Sequence, residues 1–339
     1  MGMKRVAKLG VLGGAAVTAL AFAGNALAVQ KLSVSQSPTA LTIKVTQAQT
    51  DQQPAKITIY VPTGYSINTS AAPGTTIGTT SGSIFARDAN IPLPLSGNVV
   101  VAPPDTNAPG CATGTHLAVW NLALSVAGQA INLPVHVDPT AGAEAALGAY
   151  KMVVCLAPAD VPQGTPGRSP NGAQLLEANF TVNNVFQVPA AQSVWKAITT
   201  PYASGTGLPN LTGTVETRAL ASSGTLTLSA RVTNKKKRTV RVSGKLTQGG
   251  AAVAGSQVRL VLNGAATKFT ARTAASGAYS LVLRKKGKKS TTTFQGRTTV
   301  AERDVTATLC ATPSLPPIPC VSGTASGFTA VSNRVRIRL

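Results

Sequence analysis

Short runs in which apolar and polar residues alternate one for one recur along this chain, and they limit what it can fold into. Leu41-Thr42-Ile43-Lys44-Val45, Lys56-Ile57-Thr58-Ile59-Tyr60-Val61 and Asn98-Val99-Val100-Val101 are each bounded by Pro, Gly, Asn or Asp. A period of two sends every second side chain to one face of an extended strand. Residues 116–126 and 130–137 flank Ala127-Gly128-Gln129 as the arms of a hairpin, and 150–156 and 178–188 continue the pattern. No long stripe with a helical period interrupts them, and the Ala-rich patch 141–147 is the one helix candidate. Short strands with turn signals at this spacing predict an all-β protein of two or three antiparallel β-sandwich domains.

The N-terminus reads differently. Lys4, Arg5 and Lys8 precede an apolar run over residues 9–23, followed by Ala26-Leu27-Ala28. That order is expected of a cleaved secretory leader over 1–28, the apolar run being short of the roughly 20 residues a membrane span needs. No transmembrane anchor is expected in the mature protein. Two regions follow, 29–222, holding one or two subdomains, and 223–339. Four cysteines suit an oxidising compartment. Of the three possible connectivities, Cys111 with Cys155 and Cys310 with Cys320 keep each bridge inside one region. Neither a C-x-x-C pair nor a Cys-His spacing suggests a metal or redox role.

Charge divides the chain. Residues 231–339 hold 20 of the 31 Lys and Arg and two acids, Glu302 and Asp304, a net +18, whereas 29–230 carry 8 of each sign. Such asymmetry speaks of partners and adhesion rather than fold. The basic residues gather as Lys235-Lys236-Lys237-Arg238 between two expected strands and as Arg284-Lys285-Lys286-Gly287-Lys288-Lys289 after another. Loops at one end of a sandwich converge, so these clusters are expected to form one patch. Arg334, Arg336 and Arg338 alternate and should share one face of the last strand. An anionic cell-wall or surface polymer is the expected partner. Sequence-specific nucleic acid is not, because no groove-reading helix or aromatic platform accompanies the Lys runs. Oligomeric state is not legible.

Catalytic constellations are sparse. The two histidines, His116 and His136, lie on strand-like runs, with Asp138 two residues beyond the second, and both read as surface or edge side chains. No G-x-S-x-G, H-E-x-x-H or phosphate-binding glycine loop occurs. Asp88 and Asp105 lack the spacing of a calcium loop. Trp195 and Tyr202 are read as core aromatics, a sugar-stacking platform being the functional alternative. No catalytic residue, metal or cofactor is expected, and no enzyme activity.

In the basic region, Val240-Arg241-Val242-Ser243-Gly244-Lys245-Leu246, then Ala252-Val253-Ala254-Gly255 with the strand 258–262, then Ser276-Gly277-Ala278-Tyr279-Ser280-Leu281 follow one another. Over about residues 238–300 this run resembles the immunoglobulin-like and prealbumin-like modules of bacterial surface proteins, including the carboxypeptidase regulatory-like type. The resemblance implies a non-catalytic accessory fold in which Gly277 serves a turn and Tyr279 packs the sandwich. The expected protein is thus secreted or envelope-associated and non-enzymatic, its C-terminal module holding anionic polymer. The alternative is a structural or adhesive protein that binds a protein or glycan through its N-terminal domain.

Overall fold

The structure is a computed structural model describing residues 30–37, 39–189, 192–284 and 290–338. The expected leader lies outside the described residues, as do Lys285, Lys286, Lys288 and Lys289. With 57% of residues in strands and 5% in helices, the fold is all-β and multi-sheeted.

The alternating runs all become strands. The first part of the chain forms β1 (Lys31–Gln36), β2 (Ala40–Thr46), β3 (Pro54–Val61), β4 (Ser66–Ile67), β5 (Thr76–Ala86), β6 (Ile91–Ala102) and β7 (Ala118–Val126). It continues through β8 (Gln129–Pro139), β9 (Tyr150–Cys155), β10 (Ala173–Asn183), β11 (Phe186–Gln187), β12 (Ser193–Pro201) and β13 (Val215–Ala221). In β2 the alternation works as read: Leu41, Ile43 and Val45 are buried and the residues between them are not. The β7–β8 hairpin closes through Ala127-Gly128, both at positive φ (48° and 80°), with Val126 opposite Gln129. Two left-handed residues match the twist of adjacent strands, which is why glycine sits there. The Ala-rich patch becomes a 3₁₀ segment, Gly142–Ala146, too short to bury an apolar face.

Eleven of these strands join one large sheet in the order β1-β2-β10-β5-β6-β7-β8-β9-β3-β12-β13, while β4 and β11 pair separately. The sheet curls on itself, so that one layer of side chains from β1, β2, β3, β7, β8, β10, β12 and β13 fills a common core. Trp120 and Trp195 are its largest fully buried members. Trp195 Nε1 donates to Tyr65 Oη at 3.2 Å, and the two rings meet edge to face.

The basic region makes a two-sheet sandwich. One sheet holds β14 (Gly224–Leu226), β15 (Ser229–Asn234), β16 (Thr239–Gln248), β17 (Ala251–Ala252) and, after the first strands of the second sheet, β20 (Ala278–Arg284). The other is built from β18 (Gln257–Leu262), β19 (Ala265–Arg272) and β21 (Thr291–Val300). Its last two strands come from the chain's end. Between them and β21 run β22 (Arg303–Asp304), α1 (Thr306–Leu309) and β23 (Cys320–Ala325), and then follow β24 (Phe328–Val331) and β25 (Val335–Arg338). The alternating run over 226–232 is divided between β14 and β15, with Thr227 and Leu228 outside both. Val240, Val242, Leu246, Val258, Leu260, Tyr279 and Phe294 fill the space between the sheets.

β22 and β23 do not join this sandwich. β23 pairs parallel with β13 and antiparallel with β22, extending the large sheet to thirteen strands. Ser322 and Thr324 hydroxyls donate to the carbonyls of Gln30 and Leu32, tying the returning segment to the first strand. Both disulfides join the cysteines paired on sequence grounds, Cys111 with Cys155 and Cys310 with Cys320.

Candidate polyanion interface

The alternation that builds the sandwich also aims its cations. In β16, Val240, Val242 and Leu246 point into the core, so Arg241 and Lys245 stand on the outer face and are exposed. In β25, Val335 and Ile337 pack inward while Arg334, just before the strand, Arg336 and Arg338 are exposed. Lys235, Lys236, Lys237 and Arg238 form the turn between β15 and β16, where the Asn234 side chain accepts from the Lys237 N–H at 2.8 Å. Thr239 at the end of this turn lies opposite Arg284 on β20, so Arg284 stands at the same end of the sandwich as the 235–238 turn. Thr291, where β21 begins, lies opposite Arg338.

Other cations were not singled out from the sequence. Arg231, Arg241, Lys245, Arg259, Arg272 and Arg297 lie isolated within strands rather than in runs. Arg231 faces Arg241 directly across β15–β16 on the outer face of one sheet, and Arg259 faces Arg297 across β18–β21 on the other. Like charges directly opposite one another destabilise a strand pair. Had each apolar–Arg–apolar triplet been counted as a strand with one outward cation, Arg231, Arg241 and Arg259 would have been found.

Among the described residues no ion pair joins any of these strand cations to a carboxylate. Both acids of the C-terminal third turn toward the first body: Asp304 pairs with Lys31 at 3.0 Å, and Glu302 with Lys44 at 2.9 Å. Ser33 Oγ also donates to Glu302, at 2.6 Å. The segments that build the sandwich, 223–300 and 327–339, contain 19 Lys and Arg and no Asp or Glu.

The first body offers less. A depression of about 510 Å³ lies beside the Cys111–Cys155 bridge, lined by Lys56, Tyr202 and Leu211 among mostly apolar and backbone atoms. Trp195 is fully buried, which removes it from any sugar platform. The reading of the histidines as surface or edge residues is overturned, since His136 is fully buried and His116 nearly so, their rings 4.6 Å apart. His116 belongs to the loop preceding β7, which also brings the Thr106 carbonyl to His136, an arrangement that strand alternation does not reveal. His116 Nδ1 meets Asp138 at 2.8 Å, and His136 Nε2 donates to the Thr106 carbonyl at 3.1 Å. Among the described residues His116 Nε2 is buried without a partner, and no nucleophile stands against this Asp–His pair. Asp88 is held by Arg168 at 2.5 Å, which lowers its pKa. Among the described residues no group of three or more His, Cys, Asp or Glu is placed to hold a metal, and no helix is long and apolar enough to cross a membrane.

No protein-family model matches this chain, and no curated protein matches it. Among solved structures, a candidate membrane anchored protein from Corynebacterium diphtheriae matches at 10% identity, over 89% of this chain and 53% of that one, with a TM-score of 0.19. The chain therefore spans about half of that protein's length. A likeness of this degree carries no argument about fold or function.

Proposed function

We propose that this is a non-catalytic protein of the extracellular space or cell envelope, whose C-terminal immunoglobulin-like sandwich binds anionic envelope polymers electrostatically. One observation carries the reading: 19 basic residues and no acid build the sandwich, and the two neighbouring acids are already paired with Lys31 and Lys44 of the first body. The outer-face cations, Arg231 and Arg241 on one sheet and Arg259 and Arg297 on the other, therefore draw their counter-charge from outside the chain. Two disulfides fit an oxidising compartment. The first body, neutral and covalently continuous with the sandwich, is then free to meet a second partner.

Because β22 and β23 belong to the large sheet, cutting the chain near residue 231 would break both units, and the test uses the whole mature protein. Co-sedimentation with purified envelope polymer is measured across a salt series. Binding is expected to fall by roughly 10³ to 10⁵ between 50 and 200 mM salt if about six to ten charges are neutralised. Binding that ignores salt, and survives Lys235→Ala, Lys236→Ala and Lys237→Ala together, places the ligand elsewhere and overturns the reading.

A further inference from the structure

The outer face of the β15–β16–β20 sheet is patterned as well as charged. Strand register sets Ser229, Ser243 and Ser280 in one row across the three strands. The adjacent row is Arg231, Arg241 and Val282. Arg272 reaches the same ground from the end of β19, and with the three serines, Arg231 and Arg241 it lines a shallow depression of about 690 Å³. Ser229 and Ser243 hydroxyls are hydrogen-bonded at 3.1 Å, either able to donate, while Ser280 Oγ has no hydrogen-bond partner among the described residues.

We propose that this depression is a subsite for a tetrahedral oxyanion ester, phosphate or sulfate, carried on the bound polymer; the inference rests on the polyanion reading above. A guanidinium is a planar fork of donors that grips an oxyanion through two bonds at once. A carboxylate presents two oxygens in one plane, and one such fork satisfies it. Two cross-strand arginines, a third from the flank and a row of hydroxyls supply more donors, from more directions, than a carboxylate can accept. A phosphate or sulfate ester has the additional oxygens. An anion between Arg231 and Arg241 also converts a repulsive cross-strand pair into a bridged one. On the other face Arg259, Arg297 and Lys268 present the same charge without the row of serines.

The mature protein is titrated with linear polyphosphate, dextran sulfate and polygalacturonate at one ionic strength. The proteins compared are wild type, R231A/R241A/R272A, the charge-matched R259A/R297A/K268A, and R231K/R241K/R272K. Circular dichroism of each establishes that it is folded. Wild type is expected to favour one or both tetrahedral polymers over the carboxylate polymer. The alanine triple at the depression should lose about tenfold more affinity for them than the charge-matched triple does. The lysine triple, which keeps charge but not the fork, should bind polygalacturonate normally and lose the preference. Whether polyphosphate or dextran sulfate is favoured identifies the ester. Equal losses from the two alanine triples on every polymer would refute the subsite while leaving electrostatic binding in place. Failure of wild type to bind any of the three sinks the polyanion reading itself.

Discussion

His136 is fully buried beside His116, and its Nε2 proton is committed to the Thr106 carbonyl. Burial lowers its pKa below the ordinary 6.5, and the neighbouring His116 adds to the effect, with Asp138 opposing. The folded state therefore keeps His136 neutral at a pH where the unfolded chain takes up a proton. The stability this contributes is complete above about pH 6.5 and is lost as pH falls from there toward the lowered native value. Urea unfolding at steps between pH 7.5 and 5.5 should show a falling midpoint, with the fall blunted in His136→Gln, whose amide can still donate to Thr106. An identical slope in both proteins would assign the dependence to other groups. At the same scale, Glu216 and Arg218 form a buried pair on one face of β13, and Arg218 Nη1 also donates to the Leu309 carbonyl at 2.6 Å. Removing one member strands the other charge without water, so Glu216→Ala should cost about 3–5 kcal/mol. Glu216→Leu combined with Arg218→Met should cost less than the single change, a comparison that denaturant unfolding makes directly.

At the scale of elements, the two-residue period was enough to place most strands. β2, β3, β7, β8, β9 and β16 lie where the pattern put them, because each turns at least one face to a core. The roles that the module resemblance gave to Gly277 and Tyr279 are also seen: Gly277 sits at φ 75°, and Tyr279 is buried with its hydroxyl donating to the Thr227 carbonyl at 2.7 Å. Burial raises the Tyr279 pKa to about 12. What the sequence left hidden is long-range. No local pattern tells that β23 leaves the sandwich to pair with β13, since that pairing is set by the edge β13 offers, far away in the chain. The arginine rows were hidden for the same reason, for strand register decides which isolated cations become neighbours. Gly244 marks one such closeness: a Cβ there would stand 1.9 Å from the Thr227 carbonyl oxygen and 2.7 Å from the Tyr279 hydroxyl. Gly244→Ala must push β14 and β16 apart, and a loss of about 1–3 kcal/mol is expected from overpacking. A melt unchanged from wild type would mean that the 226–229 segment yields freely.

At the scale of the whole molecule, charge and stability act against each other in the sandwich. Its 19 cations repel one another with no acid between them, so the isolated protein is most strained at low ionic strength. A protein held by surface ion pairs weakens slightly as salt screens them, whereas here screening relieves repulsion. The ion pairs that salt does weaken, Lys31–Asp304 and Lys44–Glu302, lie between the first body and the returning 302–304 segment, the former exposed and the latter partly covered. Each such pair contributes at most about 1 kcal/mol, too little to reverse the larger effect. Thermal unfolding of the sandwich should therefore shift upward as NaCl rises from 10 to 200 mM, and a bound polyanion should raise it further at constant salt by favouring the folded state. Followed through the environment of Tyr279, this melt separates from that of the large sheet, reported by Trp120 and Trp195 in its core. A sandwich melt that is flat or falling with salt would show that its cations are too well separated to repel, and a surface so dilute could not grip a polymer by charge.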